Sequence, residues 1–136
     1  MNKKGFTLIE LIATILIICL ISLIAVTSIN KVIRDSNKRG HNVQVDGILS
    51  SAITYVGDND NIKLEDLNNY VIYLNDLANG GYIDKKITDP INNKEIDLNN
   101  SYIKVTKVTN TSSTDNTNKD YKYDGNILYE LNLVYK

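Results

Sequence analysis

Lys3-Lys4-Gly5-Phe6-Thr7-Leu8-Ile9-Glu10 opens an apolar run that continues to Val26, and the rest of the chain is organised around this stretch. Between Phe6 and Val26 the only side chain charged at neutral pH is Glu10. A helix of about 21 apolar residues rises about 31 Å, close to the hydrocarbon thickness of a bilayer. Length and composition therefore predict a membrane-spanning helix near the N-terminus. A secretory signal peptide shares the basic start, but its apolar core is shorter. Here, too, no small-residue cleavage site precedes the polar segment at Asn30. A plain single-pass anchor accounts for everything except Glu10. A carboxylate costs about 2.5 to 3.5 kcal/mol at the centre of a bilayer and less near its edge, so Glu10 calls for a partner.

Two partners are open to it. Locally, Thr7-x-x-Glu10 matches a capping box, in which the Glu10 side chain accepts a free amide at the helix start. Capping explains neither the Gly5-Phe6 junction nor the uninterrupted run beyond it. Gly5-Phe6-Thr7-Leu8-Ile9-Glu10 after a short basic leader resembles the class III signal of type IV pilins and of the pseudopilins of type II secretion and competence systems. That resemblance implies cleavage after Gly5 by a membrane-bound prepilin peptidase and N-methylation of Phe6, the first mature residue. The cut makes an amine with a pKa of about 7.7 to 8.0, mostly charged near neutrality, and methylation keeps that charge. Glu10 then meets its own chain's amine about one turn away, or the amine of an incoming subunit. Gly5 and Phe6 are thus assigned to processing, Phe6 and Glu10 to assembly.

The resemblance covers roughly the first 30 residues of 136. It implies a leader at residues 1–5, a transmembrane helix at 6–27, an amphipathic continuation at 28–57 and a pilin-like head at 58–136. Where many family members place a helix-breaking Gly and Pro, this chain has Cys19 and Thr27, neither of which breaks a helix. Cys19 is the only cysteine, and inside the membrane run it reads as a small apolar residue. No disulfide can therefore staple the head. Many type IV pilins of Gram-negative bacteria close a C-terminal loop with one, so this departure points to a Gram-positive system or a pseudopilin.

Beyond Val26 the helical pattern continues. Ile29 and Ile33 prolong an apolar stripe, Lys31, Arg34 and Lys38 form a basic one, and Asp35 and Arg39 are spaced to pair at i, i+4. Counted alone, these cations favour the reverse membrane orientation. The peptidase motif requires a cytoplasmic N-terminus, and that orientation is the expectation. Gly40-His41 is expected to loosen the helix without ending it, with His41 a surface residue. Val45, Ile48, Leu49, Ala52, Ile53 and Val56 form one buried face, and Gly57 before Asp58-Asn59-Asp60-Asn61 ends the helix.

Helical turns are expected around Leu64 to Asn68 and Leu74 to Ala78, the second closed by Gly80-Gly81 and leading into an extended Tyr82-Ile83. Asp89-Pro90 and Asn92-Asn93 are turn chemistry. The passage Leu74 to Lys94 is loosely similar to a segment of Gram-positive pilin-like proteins. Tyr102 to Thr109 alternates as a strand, Asn110 to Lys119 is a polar loop, and Asp124-Gly125 marks a tight hairpin. In the last strand Ile127, Tyr129, Leu131, Leu133 and Tyr135 share a face that can lie on the Val45 to Val56 stripe. The fold class is α+β: a long N-terminal helix on a small antiparallel sheet.

The net charge of -1 and the pI of about 5.8 give no support to a nucleic-acid binder. One histidine and a membrane-embedded cysteine cannot make a Ser/His/Asp or Cys/His set, and no phosphate loop or metal-spaced cluster is present. Neither an enzyme nor a cofactor is expected. Asp58 to Asn61 with Glu65 and Asp66 suggests calcium, as in major pseudopilins, but Lys63 and Asn69 fall where an EF-hand needs Gly and Glu. The expectation is a type IV pilus subunit, single-pass in the cell membrane as a precursor and extracellular when assembled. Its partners are the prepilin peptidase, other pilin subunits, an assembly platform protein with its ATPase, and the membrane. The rivals are a pseudopilin of secretion or DNA uptake and a membrane-tethered binding protein that never polymerises.

Overall fold

A computed structural model describes residues 5–63, 67–109 and 120–136. In chain order it contains helix α1 (Leu8–Asp58), strand β1 (Asn68–Tyr73), helix α2 (Leu74–Asn79), and strands β2 (Tyr102–Lys107), β3 (Tyr121–Asp124) and β4 (Ile127–Asn132). The strands form one antiparallel sheet in the order β1-β2-β4-β3. The chain divides into two compact units, one ending at Ser36 and the other beginning at Asn37.

In the first unit α1 is helical from Leu8 onward, and every described residue is exposed. Leu, Ile, Val and Ala make it apolar around its whole circumference, as a span in lipid must be and a soluble helix is not. The expected Asp35–Arg39 pair does not form. The ion pairs among the described residues are His41–Asp89, Lys86–Glu95, Lys122–Asp46 and Lys136–Glu95. An exposed i, i+4 pair contributes only about 0.3 to 0.5 kcal/mol, little to hold two long side chains together.

In the second unit the rest of α1 lays its apolar stripe on the sheet. Val45, Ile48, Leu49, Ala52 and Val56 are buried, Ile53 partly so, against Ile72 of β1, Ile103 and Val105 of β2, and Tyr129 and Leu131 of β4. Leu74 and Leu77 of α2 complete the core with Leu67, Ile87 and Ile96. Each fully buried side chain contributes about 1.5 to 3 kcal/mol relative to exposure. Lys122 of β3 fixes the sheet to the helix from outside the core, its Nζ donating to Asp46 Oδ1 at 2.8 Å and to Ser50 Oγ at 2.9 Å.

Several local expectations shift. The helix passes through Gly40-His41 unbroken and includes Gly57, ending at Asp58, where Asn59 Nδ2 donates to the Tyr55 carbonyl at 2.8 Å. Of the helical turn expected around Leu64 to Asn68, residues 64–66 lie outside the described residues and Asn68 begins β1. Asn68 and Asn69 are poor strand formers, and Asn69, at φ 64°, sits in a register shift that hides the strand from a sequence pattern. Tyr82-Ile83 is a bend rather than extended: Tyr82 N donates back to the Leu77 carbonyl, and its ring meets that of Tyr55 edge-on at 5.3 Å. The second strand stops at Lys107, short of Thr109. The hairpin turn falls one residue later than expected, because Asp124 pairs with Ile127 and the turn is Gly125-Asn126 with Gly125 at φ 58°. The Asn110 to Lys119 loop lies outside the described residues.

Candidate processing and assembly site

Gly5, Phe6 and Thr7 precede the first helical residue, Leu8. Thr7 caps the helix, and the capping box is complete. The Thr7 amide donates to Glu10 Oε2 at 2.8 Å, the Thr7 hydroxyl donates to the same oxygen at 3.1 Å, and the Glu10 amide points at Thr7 Oγ1 at 3.4 Å. The Thr7 carbonyl accepts the Leu11 amide at 3.2 Å. A β-branched hydroxyl residue at the cap and Glu three positions on satisfy each other's orphan groups, which is why the helix starts here. The local partner foreseen for Glu10 is therefore present in the uncut chain.

Phe6, 90% exposed, lies with Gly5 before the helix, where a second protein can reach the bond between them. A Cβ built on Gly5 meets nothing within 4 Å, and Gly5 does not need a positive φ. Among the described residues nothing demands glycine at that position. Met1 to Lys4, the rest of the expected leader, lie outside the described residues.

Past Glu10 the helix deals with its own polar groups. Thr14 Oγ1 donates to the carbonyls of Glu10 and Leu11, Ser22 Oγ to that of Ile18, and Thr27 Oγ1 and Ser28 Oγ to that of Ile24, all between 2.7 and 3.2 Å. Hydrocarbon offers no hydrogen bonds, so hydroxyls turned back on the backbone suit a helix immersed in it. α1 is the one described helix long and apolar enough to cross a membrane. Cys19 carries a free, exposed thiol on it.

Residues 1–26 match the family model of the prokaryotic N-terminal methylation motif. That motif is the type IV pilin and pseudopilin signal, it indicates a pilin-like or pseudopilin precursor, and with the apolar helix it is consistent with a membrane-anchored one. It belongs to structural subunits rather than to an enzyme family, and it implies processing by prepilin peptidase and assembly with other pilin subunits. Comparison with curated proteins and with solved structures finds no match.

The head holds a polar cluster that sequence reasoning missed. His41 is not a surface residue: its Nδ1 lies 2.9 Å from Oδ1 of Asp89, whose side chain is 2% exposed. Because a carboxylate only accepts, His41 donates. Tyr135 Oη donates to Asp89 Oδ2 at 2.8 Å and the Ile91 amide to Oδ1 at 3.0 Å. Burial raises the Asp89 pKa, but the Ile91 amide, the Tyr135 hydroxyl and the His41 ring outweigh it and hold the carboxyl below its usual range. Burial first, and then the bond to Asp89, push Tyr135 up to about 12. Asp89-Pro90 reads as a turn in sequence, and only the fold brings positions 41 and 135 to it.

The same cluster helps tie down the residues that follow β4 without a disulfide. The Val134 amide donates to the buried Ser101 Oγ at 2.8 Å, Ser101 Oγ donates to the Val134 carbonyl at 3.1 Å, and Ile96 and Tyr135 form a β-bridge. In the segment considered for calcium, Asp58 Oδ2 accepts the Tyr82 hydroxyl at 2.9 Å, while Glu65 and Asp66 lie outside the described residues. No group of His, Cys, Asp and Glu among the described residues is arranged to hold a metal ion.

Proposed function

We propose that this chain is the structural subunit of an extracellular type IV pilus or pilus-like fibre. The precursor spans the cell membrane with its N-terminus in the cytoplasm and its head outside. Prepilin peptidase cuts between Gly5 and Phe6 and the new amine of Phe6 is methylated. An assembly ATPase and platform protein then draw subunits into a fibre cored by residues 6–56. The observation that carries this reading is Glu10: a carboxylate on the first turn of a helix that is exposed and apolar on every side as far as Val26, four residues from the amine that cleavage creates.

In the fibre the amine of an incoming subunit sits against Glu10 of one already placed and sets the axial register. Apolar packing supplies cohesion, at less than about 25 cal/mol per Å² because the helices leave lipid rather than water. Glu10→Val tests the reading. Insertion and leader removal are expected to persist while fibres vanish from the cell surface; normal fibre yield from this variant removes Glu10 from the mechanism. Deletion of the gene, followed by surface imaging beside secretion and transformation assays, separates a pilus from a pseudopilus.

A further inference from the structure

We propose that Lys31 and Arg34 of one copy dock into an acid-rimmed cleft on the head of a neighbouring copy. The inference rests on the fibre reading above and names a second contact that would hold the fibre together.

The cleft, about 320 Å³, opens where the end of α1 meets the β3–β4 hairpin. Ile53, Val56 and Ile62 form an apolar wall, Tyr129 lines it from the sheet, and Asp60 and Asp124 stand on the rim. Tyr129 is 1% exposed, and its hydroxyl makes no hydrogen bond among the described residues but is not sealed from solvent. Burial also pushes Tyr129 up to about 12, so the hydroxyl stays neutral and its lone pairs are free to accept. Asp60 and Asp124 take part in no ion pair among the described residues. The cleft thus combines a greasy wall with two carboxylates and a phenol.

That combination suits an alkyl stem carrying a cation, the chemistry of a lysine or arginine side chain. A bare hard cation fits less well, since calcium takes 6 to 8 oxygen ligands and gains nothing from an apolar wall. The chain itself carries the complement. Lys31 and Arg34 lie one turn apart on α1, just beyond the apolar run, exposed and in no ion pair among the described residues, even with Asp35 beside them. Packing many copies side by side raises the local concentration of this basic pair around every cleft. Opposite charges steer such contacts and fix their register.

Two experiments on the full chain, made in cells that assemble it, test the docking. Asp60→Lys with Asp124→Lys should lower fibre yield by about tenfold or more, since the contact becomes repulsive, and adding Lys31→Asp with Arg34→Asp should restore it. Far-UV circular dichroism of each variant in detergent checks that the head still folds. Independently, carbodiimide treatment of unaltered fibres assembled from isotopically light and heavy copies should join Lys31 of one copy to Asp60 or Asp124 of another, read by mass spectrometry. Full fibre yield after charge reversal, failure of the compensating pair to rescue a folded variant, or absence of that cross-link overturns the docking. Each of these leaves the fibre reading intact so long as fibres still depend on Glu10. If the unaltered chain forms no fibre, both fall.

Discussion

The Thr7 amide donates to Glu10 Oε2 at 2.8 Å, so in the uncut chain the carboxylate is already held within the first helical turn. The capping bond keeps Glu10 ordered at the helix start, close to where cleavage would place an amine. In the proposed fibre, cap and assembly contact would use the same carboxylate, whose two oxygens offer about four acceptor sites, enough for both.

Thr7→Val separates the two roles. It removes the hydroxyl contacts but keeps the backbone bond to Glu10, at a cost of about 0.5 to 2 kcal/mol in helix stability. Fibre yield should fall far less than with Glu10→Val. An equal loss in surface-fibre imaging would mean that Glu10 acts only as a cap.

Gly5→Val should stop leader removal while leaving the fold unchanged, because a Cβ at Gly5 meets nothing within 4 Å. On a gel the variant should run as the unshifted precursor when expressed with prepilin peptidase, with the circular dichroism of the parent. A processed band of normal mobility would show that the peptidase does not read this glycine.

Leu49→Ala empties the middle of the α1 stripe, where Leu49 is 1% exposed. Deleting a buried leucine costs about 2 to 5 kcal/mol, depending on how far the site collapses. Urea denaturation of the full chain in detergent should show that loss for the head, and a smaller one for Ile53→Ala, which is only partly buried.

The Asp89 cluster gives the head a pH dependence at both ends. The Asp89 pKa is lowered in the fold, so its stabilisation is complete above the unfolded value near 3.8 and fades as pH falls through the folded one. Tyr135 is raised from 10.0 to about 12, so its contribution is complete below pH 10 and fades between about pH 10 and 12. Asp89→Asn should lower stability at neutral pH and flatten the acid limb of a melting-temperature profile, leaving the part due to Glu95 and Asp97, whose pKa values are also lowered. Tyr135→Phe should flatten part of the alkaline limb, since Tyr129 also titrates near 12. Profiles identical to the parent would remove the cluster from the stability of the head.

What the sequence disclosed was periodic or contiguous. The apolar run to Val26, the Val45 to Val56 stripe, α2 and the alternating face of Tyr129 and Leu131 are each set by neighbours within a few positions. The N-terminal hexapeptide was legible for the same reason. What stayed hidden depends on contacts across the fold. β1 is masked by two asparagines and a bulge, the strand order follows from tertiary packing, and Asp89 meets partners 48 and 46 residues away. The cleft edged by Asp60 and Asp124 needs the hairpin folded against the helix end before it exists.

Mass spectrometry of the N-terminus of the protein purified from its native membrane tests the account most directly. The chain should begin at Phe6 and carry a methyl group on its amine. A mature protein that still begins at Met1 would leave Glu10 with only its cap, and the chain would be a tethered domain rather than a fibre subunit.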